Sequence, residues 1–252
     1  MKRVIVNADD FGANETVTSE IERVIVAKAV SSTTVMANGL CLEEVKRFAA
    51  GHPEVSFGVH LCLSEFSSLT KSEALHRAGL TDEKGQFVHK AVFRLQNLNE
   101  EMVQKAIRDE LNAQIDVVSS LGFPLSHADS HHHVHVIYAL HEVFADVLHS
   151  RGIDKLRLCM GFNTFRSKVR FVKYLRHVWL NNYYRSQFTT ADIFTNYASF
   201  INGGQHIREG QVVELMCHPG HPAERYQEEM QLVENKSVLQ ASDVHLISYN
   251  NL

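Results

Sequence analysis

The sequence predicts an α/β fold, a single-domain, distorted (β/α) barrel, and three observations support this prediction. Short apolar runs alternate with amphipathic segments along the chain, which is typical of a parallel sheet covered by helices. The length of 252 residues suits one barrel better than one open sheet. Clusters of polar side chains directly follow predicted strands, where the functional sites of parallel barrels lie. We therefore expect residues 1–252 to form one domain.

The first half of the chain alternates strands with helices. Short runs rich in β-branched residues predict three strands, at 3–7, 32–36 and 55–60. The first strand is expected to end in a polar turn at 8–12. Helices are predicted at 14–30 and 42–50, because apolar residues recur there at intervals of three and four.

The second half continues the alternation after an irregular segment. Residues 64–98 carry Ser, Thr, Gly and mixed charge, which predicts a long loop or an inserted lid. The helix at 101–121 has the clearest apolar stripe. The remaining predicted strands are 126–129, 155–158, 191–196, 212–217 and 244–247, and the remaining predicted helices are 137–151, about 167–185, and 223–239.

Composition restricts the classes to which the chain can belong. Apolar residues make up 44% and charged residues 21%, which is typical of a globular protein. A formal net charge of −4 without a basic stripe disfavours a nucleic-acid partner. Apolar runs fall short of the roughly 20 residues of a membrane span, and the polar N-terminus does not resemble a signal peptide. We therefore expect a cytoplasmic protein.

The four cysteines have no CxxC spacing, and we interpret them as reduced thiols of the core. They are Cys41, Cys62, Cys159 and Cys217.

Four polar clusters follow predicted strands that are far apart in the sequence. Asp9 and Asp10 follow the first strand, and His60 ends the third. His218 follows the strand at 212–217, and the fourth cluster, HADSHHHVH, begins at residue 127. Because the C-terminal ends of parallel strands open on one face of a barrel, we expect these side chains to converge.

Histidine is unusually frequent, with 16 in the chain and five between residues 127 and 135. Histidine is the most common metal ligand in proteins. If this segment is extended, its alternate residues share one face. Those residues are His127, Asp129, His131, His133 and His135. One ion cannot bind all of them, so we expect some to orient other ligands or to contact a substrate.

One carboxylate and two histidines make a donor set that suits Zn²⁺, Mn²⁺, Fe²⁺ or Co²⁺, and Mg²⁺ less naturally.

Structural alternatives exist for each residue. Asp9 and Asp10 could cap the following helix, and His60 could be a core residue. Cys217 and His218 could suggest a thiol nucleophile with its base, which we disfavour because adjacent strand residues face opposite sides.

Five motifs occur along the chain: NADDFG at 7–12, STTVMAN at 32–38, GVHLCL at 58–63, HADSHHHVH at 127–135 and CHPGHP at 217–222. Together they resemble one known family, the YdjC-like carbohydrate deacetylases, which includes chitooligosaccharide deacetylases. They occur in the family order and span residues 7–222, whereas the region after residue 155 resembles the family only loosely apart from CHPG.

The resemblance implies a barrel of the deacetylase type, which forms one catalytic domain and removes acetyl groups from N-acetylated (chito)oligosaccharides, phosphorylated forms included. It implies one divalent ion, Mg²⁺ or Zn²⁺ with Mn²⁺ or Co²⁺ as alternatives, held by Asp10, His60 and His131. Asp9 would be the base that acts on a metal-bound water. His218 would be the acid that assists the departing amine.

Four further residues are expected to support the site. The resemblance implies that Asp129 lies behind the site and orients a histidine. His133 and His135 are expected to support the ligands or to contact the substrate. Arg157, after the fifth predicted strand, has two interpretations: contact with an anionic or hydroxyl-rich substrate, or a salt bridge at the rim of the barrel.

Other functions and partners are also consistent with these residues. A metal phosphoesterase would use the surplus histidines to hold a second ion, and a metal or sugar sensor would have kept the fold without turnover. An iron oxygenase is disfavoured, because the folds that usually carry one are all-β. The expected partner is a small carbohydrate, and the basic, aromatic helix at about 167–185 predicts a homodimer interface.

Overall fold

The computed structural model describes residues 2–159, 171–203, 208–240 and 244–252. These residues form a mixed α/β fold built on a parallel sheet. Its strands are β1 (Lys2–Phe11), β2 (Ser32–Val35), β3 (Ser56–Leu61), β4 (Leu125–Ser130), β5 (Ile193–Asn196), β6 (Val212–Cys217) and β7 (Val244–Ile247).

Helices connect these strands. They are α1 (Glu15–Val26), α2 (Leu42–Ala50), α3 (Glu73–Arg77), α4 (Glu101–Ser119), α5 (His141–Ser150), α6 (Phe171–Gln187), α7 (Tyr197–Gly203) and α8 (Glu224–Glu234). α1 illustrates how the sequence sets an element: the Asn14 side chain accepts from the backbone N–H of Val17, which caps the first turn. Within the described residues, none of the helices is long and apolar enough to cross a membrane.

The sheet has the order β4-β3-β2-β1-β6-β5, and β7 also pairs with β1. β1 therefore has three neighbours. It pairs with β7 over its first residues, with β6 through Ala8, and with β2 from Asn7 onward. The sheet curls into a half-barrel, which confirms the predicted α/β barrel class in its distorted form.

The predicted turn at 8–12 is wrong, because β1 continues through Phe11. This extension is difficult to predict from the sequence, because it contains two acidic residues and these are rare in strands. The strand is irregular at this point: its register with β2 shifts between Ala8 and Phe11. Asp10 lies within the shift and has a left-handed φ of 74°. Two consecutive carboxylates, those of Asp9 and Asp10, therefore lie at the C-terminal end of β1.

Two other predictions need correction. Residues 155–158 make isolated bridges, Leu156 with Ala128 and Lys155 with Thr189, instead of a strand. The segment 127–135 is extended only to Ser130 and then forms a 3₁₀ turn, His131–Val136, so its alternate residues do not share one face.

The remaining differences concern helix bounds and the irregular segment. The predicted helix at 137–151 begins as a 3₁₀ turn before α5 starts at His141. The segment 64–98 contains α3, a 3₁₀ turn and two antiparallel bridges, so it is partly ordered. The first residues of the helix predicted at about 167–185 lie outside the described residues.

The 3₁₀ turn Tyr249–Asn251 packs against β4 of the half-barrel. The ring of Tyr249 stacks on His127, with ring centroids 3.7 Å apart. Gly58 makes room for this pair, because a Cβ there would lie 2.6 Å from Cε1 of His127. The tight packing fixes β3 against β4, the two strands that carry His60 and Asp129.

Candidate active site

The predicted site residues meet at the C-terminal edge of the sheet. Asp9 and Asp10 lie at the end of β1, His60 on β3, and Asp129 on β4. His131 opens the turn after β4. His218 follows β6, the strand that pairs with β1. Parallel strands therefore bring together residues that are more than 200 positions apart in the sequence.

One donor cluster contains Asp10, His60 and His131. Oδ1 of Asp10 lies 3.0 Å from Nε2 of His60 and 2.8 Å from Nδ1 of His131. Donor atoms bound at right angles to one ion, with bonds of about 2.1 Å, lie about 3 Å apart. The cluster is therefore compatible with one divalent cation, although the donor types do not select a particular metal.

His60 is held by a second carboxylate on its other nitrogen. Its Nδ1 lies 2.6 Å from Oδ1 of Asp129, and Asp129 is fully buried. Burial alone would lower the pKa of His60, but Asp129 and Asp10 raise it to about 10. The two carboxylates thus favour a positive charge at this ring, which either a proton or a cation can supply. A carboxylate behind a ligating histidine is common in metal sites.

His131 has the same arrangement on a different element. Its Nδ1 faces Asp10, and its Nε2 lies 3.3 Å from Oε2 of Glu65. Burial alone would lower the pKa of His131, but Asp10 and Glu65 raise it well above the usual value. Glu65 lies in the irregular segment after β3, and the sequence analysis did not identify it as a site residue.

A second possible donor cluster contains Asp9, His60 and Asp129. It is poorly suited to a cation, because Arg157 binds both of its carboxylates, Asp9 and Asp129, at 2.6 Å. A cation there would face a guanidinium group that already satisfies those oxygens. The cluster around Asp10 lacks such a competitor among its described contacts.

Asp9 has surroundings that differ from those of Asp10. Arg157 donates to both of its oxygens, at 2.6 and 2.7 Å, and the Asn7 amide donates to Oδ1 at 2.8 Å. Burial alone would raise the pKa of Asp9, but the guanidinium of Arg157 brings it well below the usual value. Asp9 is therefore ionised at neutral pH and lies beside the donor cluster rather than in it.

Arg157 is fully buried, and its guanidinium also pairs with Glu214 at 2.7 Å. The interpretation as a contact to substrate does not fit this position. The alternative, a salt bridge, fits, but the bridge lies in the interior of the half-barrel and not at its rim. Three acidic side chains surround one guanidinium, so Arg157 sets the position of Asp9 and Asp129.

His218 approaches Asp9 from the side of β6. Its Nε2 lies 3.9 Å from Oδ2 of Asp9, and its Nδ1 lies 3.4 Å from Oε2 of Glu229 on α8. Glu229 also accepts from the backbone N–H of His218 at 2.9 Å. Burial alone would lower the pKa of His218, but Glu229 and Asp9 raise it. Cys217 is buried, and its thiol points to the carbonyl of Asn7.

The two later histidines of the cluster have different environments. His135 is fully buried, where its Nδ1 contacts the hydroxyl of Ser130. The hydroxyl of Tyr184 donates to the carbonyl of His135, which ties α6 to the turn. His133 is half-buried against Phe194, and burial, with Arg157 nearby, lowers its pKa to about 3. His135 thus packs in the core, and a supporting role for His133 stays a prediction.

Sequence reasoning missed two carboxylates that hold histidines, Glu65 and Glu229. Glu229 is one of several acidic residues on an amphipathic helix, and nothing in the local pattern distinguishes it. The predicted homodimer also stays a prediction. The described part of α6 does expose apolar side chains, since Leu175 and Trp179 are 48% and 44% exposed.

Several known proteins are similar to this chain over nearly its whole length. A Clostridium beijerinckii protein named carbohydrate deacetylase is 25% identical over 264 residues, which cover 99% of this chain and 100% of that one. A Vibrio cholerae protein of the same name is 26% identical over 268 residues, which cover 99% of this chain and 96% of the relative.

Among solved structures, an Enterococcus faecalis protein to which cellobiose-phosphate cleavage is ascribed matches with a TM-score of 0.76 and 24% identity. The match covers 99% of this chain and 98% of that one, and it supports the fold. The family model described as YdjC-like protein matches residues 3–245. The chain therefore belongs to the YdjC-like protein family.

Proposed function

We propose that this protein is a metal-dependent carbohydrate deacetylase that hydrolyses the acetamide of N-acetylated (chito)oligosaccharides. The observation that carries the proposal is the convergence of a cation-compatible cluster with Asp9 and His218 at one sheet edge. The curated relatives that span nearly the whole chain are named carbohydrate deacetylases, which supports the reaction and the class of substrate. We include phosphorylated chitooligosaccharides among the proposed substrates.

We assign the cation to Asp10, His60 and His131. When bound, a divalent cation supplies Lewis acidity, which polarises the amide carbonyl and lowers the pKa of water. Asp10 contributes an anionic oxygen that two imidazole nitrogens face at 2.8 and 3.0 Å. Asp129 keeps His60 in position from behind, so the ligand set is rigid before a substrate arrives.

We assign the base to Asp9. Arg157 keeps its carboxylate ionised and fixed, so it can accept a proton from the attacking water. The oxygen of that water then bonds to the carbonyl carbon of the acetamide. Asp9 can act as a base despite its low pKa, because a bound cation would lower the pKa of the water that gives up the proton.

We assign the acid to His218. Glu229 holds Nδ1, so Nε2 faces Asp9 and the reacting centre. The raised pKa favours the imidazolium, which donates its Nε2 proton to the amine nitrogen as the C–N bond breaks. The products are acetate and a free amino sugar.

A metal phosphoesterase is the second candidate, because another donor group exists beside the first. Atoms of Glu65, His131 and His132 lie within 4.8 Å of one another, and a two-metal site would use them. This group shares His131 with the first cluster, which makes one ion the simpler arrangement. One bound ion per chain would favour the deacetylase, and two would favour the phosphoesterase.

The proposal is tested by measuring acetate released from N,N′-diacetylchitobiose and from its 6-phosphate. Metal-stripped protein receives Mg²⁺, Mn²⁺, Co²⁺ or Zn²⁺ in turn. We expect acetate only after a metal is restored. Folded protein that binds an ion but releases no acetate with any metal would contradict the reaction, and phosphate esters would then be tested.

A further inference from the structure

Two consecutive residues after β3 contact two consecutive histidines after β4. The Ser64 hydroxyl lies 2.9 Å from Nδ1 of His132, and Oε2 of Glu65 lies 3.3 Å from Nε2 of His131. We call Ser64 and Glu65 the loop clasp. The clasp joins the irregular segment 64–98 to the turn that carries a proposed cation ligand.

The turn that the clasp contacts has an unfavourable backbone. His132 and His133 have left-handed φ values of 53° and 57°. Such a conformation is unfavourable for a residue that is not glycine, so neighbouring contacts must maintain it. The ring centroids of His131 and His132 lie 4.1 Å apart, so the two rings are in contact. A contact that holds one ring therefore also restrains the other.

The clasp is itself fixed from several sides. The backbone carbonyl of Glu65 accepts from the Asn38 amide at 3.3 Å and from the Cys62 thiol at 3.3 Å. The other carboxylate oxygen of Glu65, Oε1, lies 2.8 Å from Nδ1 of His89. The carboxylate is therefore aimed at His131 by its own anchored backbone and by a neighbouring ring.

We propose that Glu65 is a positioning residue that prepares His131 to bind the cation. Both ring nitrogens of His131 face carboxylates, Nδ1 towards Asp10 and Nε2 towards Glu65. A carboxylate can only accept, so Glu65 would keep a proton on Nε2 when a cation binds, and the lone pair of Nδ1 would then be the one available to the cation. Glu65 then does for His131 what Asp129 does for His60. This inference rests on the proposed function in one respect, the assignment of His131 as a cation ligand.

The test measures cation affinity, which does not depend on turnover. Metal-stripped wild type, Glu65→Gln and Glu65→Ala are titrated with Mn²⁺ by calorimetry, and their Co²⁺ absorption spectra are compared. Loss of a carboxylate behind a ligating histidine typically weakens metal affinity by about 10–100-fold. We expect about tenfold weaker binding for Glu65→Gln, a larger loss for Glu65→Ala, and an altered Co²⁺ spectrum for both.

Glu73→Gln is the matched control. Glu73 lies in the same segment, its side chain is 73% exposed, and it pairs with Arg77. This control removes one negative charge without touching a histidine of the site, so it should bind Mn²⁺ like wild type. Thermal melting of the metal-free variants verifies that each is folded.

Several results would overturn the inference. Wild-type affinity in both Glu65 variants would show that His131 needs no such partner. An equal loss of Mn²⁺ affinity in Glu73→Gln would mean that the change in net charge, and not the contact with His131, causes the effect. Two ions in wild type and one in Glu65→Ala would make Glu65 a ligand rather than a positioning residue. Wild type that binds no ion would instead remove the cation from the proposed function and the inference with it.

Discussion

Asp9 and Asp10 are neighbours in the chain, yet their carboxylates have different partners. Asp9 is held by a guanidinium and an amide, whereas Asp10 faces two imidazole rings. The left-handed backbone of Asp10 interrupts the regular alternation of the strand, so both consecutive carboxylates lie near His60 instead of on opposite faces of the sheet. One residue type, used twice in succession, thus gives one anchored anion and one candidate cation ligand.

Glu229 controls the protonation of His218 in this account. Glu229→Gln removes the charge next to Nδ1 and should lower the pKa of His218. An acid must be protonated to act, so the alkaline limb of kcat/KM should move to lower pH, by about one unit. The pH–rate profile checks this shift.

Glu228→Gln is the control for that experiment, because Glu228 is exposed beside Glu229 on α8. Its profile should coincide with that of wild type. A Glu229→Gln profile with an unchanged alkaline limb would mean that His218 is not the acid.

At the scale of single residues, the sequence predicted the types and approximate positions of the site side chains. Two aspartates, His60, His131 and His218 were identified because they follow strands. Their partners were predicted only in part. Asp129 was expected to orient a histidine, and Arg157 was expected to contact a substrate or form a salt bridge. The pairing of Arg157 with Asp9, 148 positions away, was not predicted, and Glu65 and Glu229 lie in segments without a distinctive pattern. A contact between distant segments leaves no local signal in one sequence.

At the scale of elements, the segment 64–98 is fixed to α4 by one buried carboxylate. Glu110 is fully buried on α4 and accepts from five donors. They are the Ser68 hydroxyl, the backbone N–H groups of Leu69 and Thr70, the Thr70 hydroxyl and the Gln114 amide. The clasp residues lie just before this anchor, so α4 supports the active site indirectly.

Glu110→Gln should therefore loosen the loop. Glutamine places an NH₂ group among donors, which leaves buried hydrogen bonds unmade and should lower the free energy of unfolding by about 1–3 kcal/mol. Chemical denaturation measures the loss, and hydrogen exchange should rise at residues 66–72. Asp109→Asn is the control, because this exposed neighbour pairs only with Lys105 among its described contacts. Unchanged stability and exchange in Glu110→Gln would refute the anchor.

The turn after β4 was harder to predict than the helices. The spacing of HADSHHHVH suggested an extended strand with one polar face. The structure instead bends at His131, because the ring contacts and the clasp hold a left-handed backbone that no residue type there favours. Local propensity predicts strands and helices from apolar spacing, but it does not predict a turn maintained by tertiary contacts.

At the scale of the whole molecule, alternation of strands and helices predicted the fold class correctly. The distorted barrel that it predicted is confirmed by the half-barrel, but the strand order was not predicted, because it depends on pairing between strands that are distant in sequence. The interior is bridged by Arg157, which joins carboxylates on β1, β4 and β6. The Tyr249 hydroxyl donates to Glu214 at 2.6 Å and extends this network to the C-terminal end.

This network makes stability depend on pH. Burial raises the pKa of Glu214 to about 7, even though Arg157 and Tyr249 partly oppose the shift. The folded state therefore holds a proton that the unfolded state releases nearer its usual pKa of 4.5. The contribution of the Glu214 proton to the free energy of unfolding is therefore complete below pH 4.5 and is lost as the pH rises through about 7.

Glu214→Gln has no proton to lose at this position. The difference in unfolding free energy, wild type minus variant, should fall by about 3 kcal/mol between pH 4.5 and 8, which corresponds to the raised pKa. Urea denaturation at intervals of pH measures it. A constant difference across this range would contradict the assigned protonation of Glu214.

The division of work between the two aspartates is the central claim, and the turnover of Asp9→Asn with its cation bound tests it most directly. Acetate release is measured on Asp9→Asn after calorimetry has established that it holds its ion, with Asp10→Asn as the comparison that should lose the ion. We predict a folded, cation-bound Asp9→Asn whose rate falls by about 100-fold or more. A cation-bound Asp9→Asn with a rate near that of wild type would contradict the account.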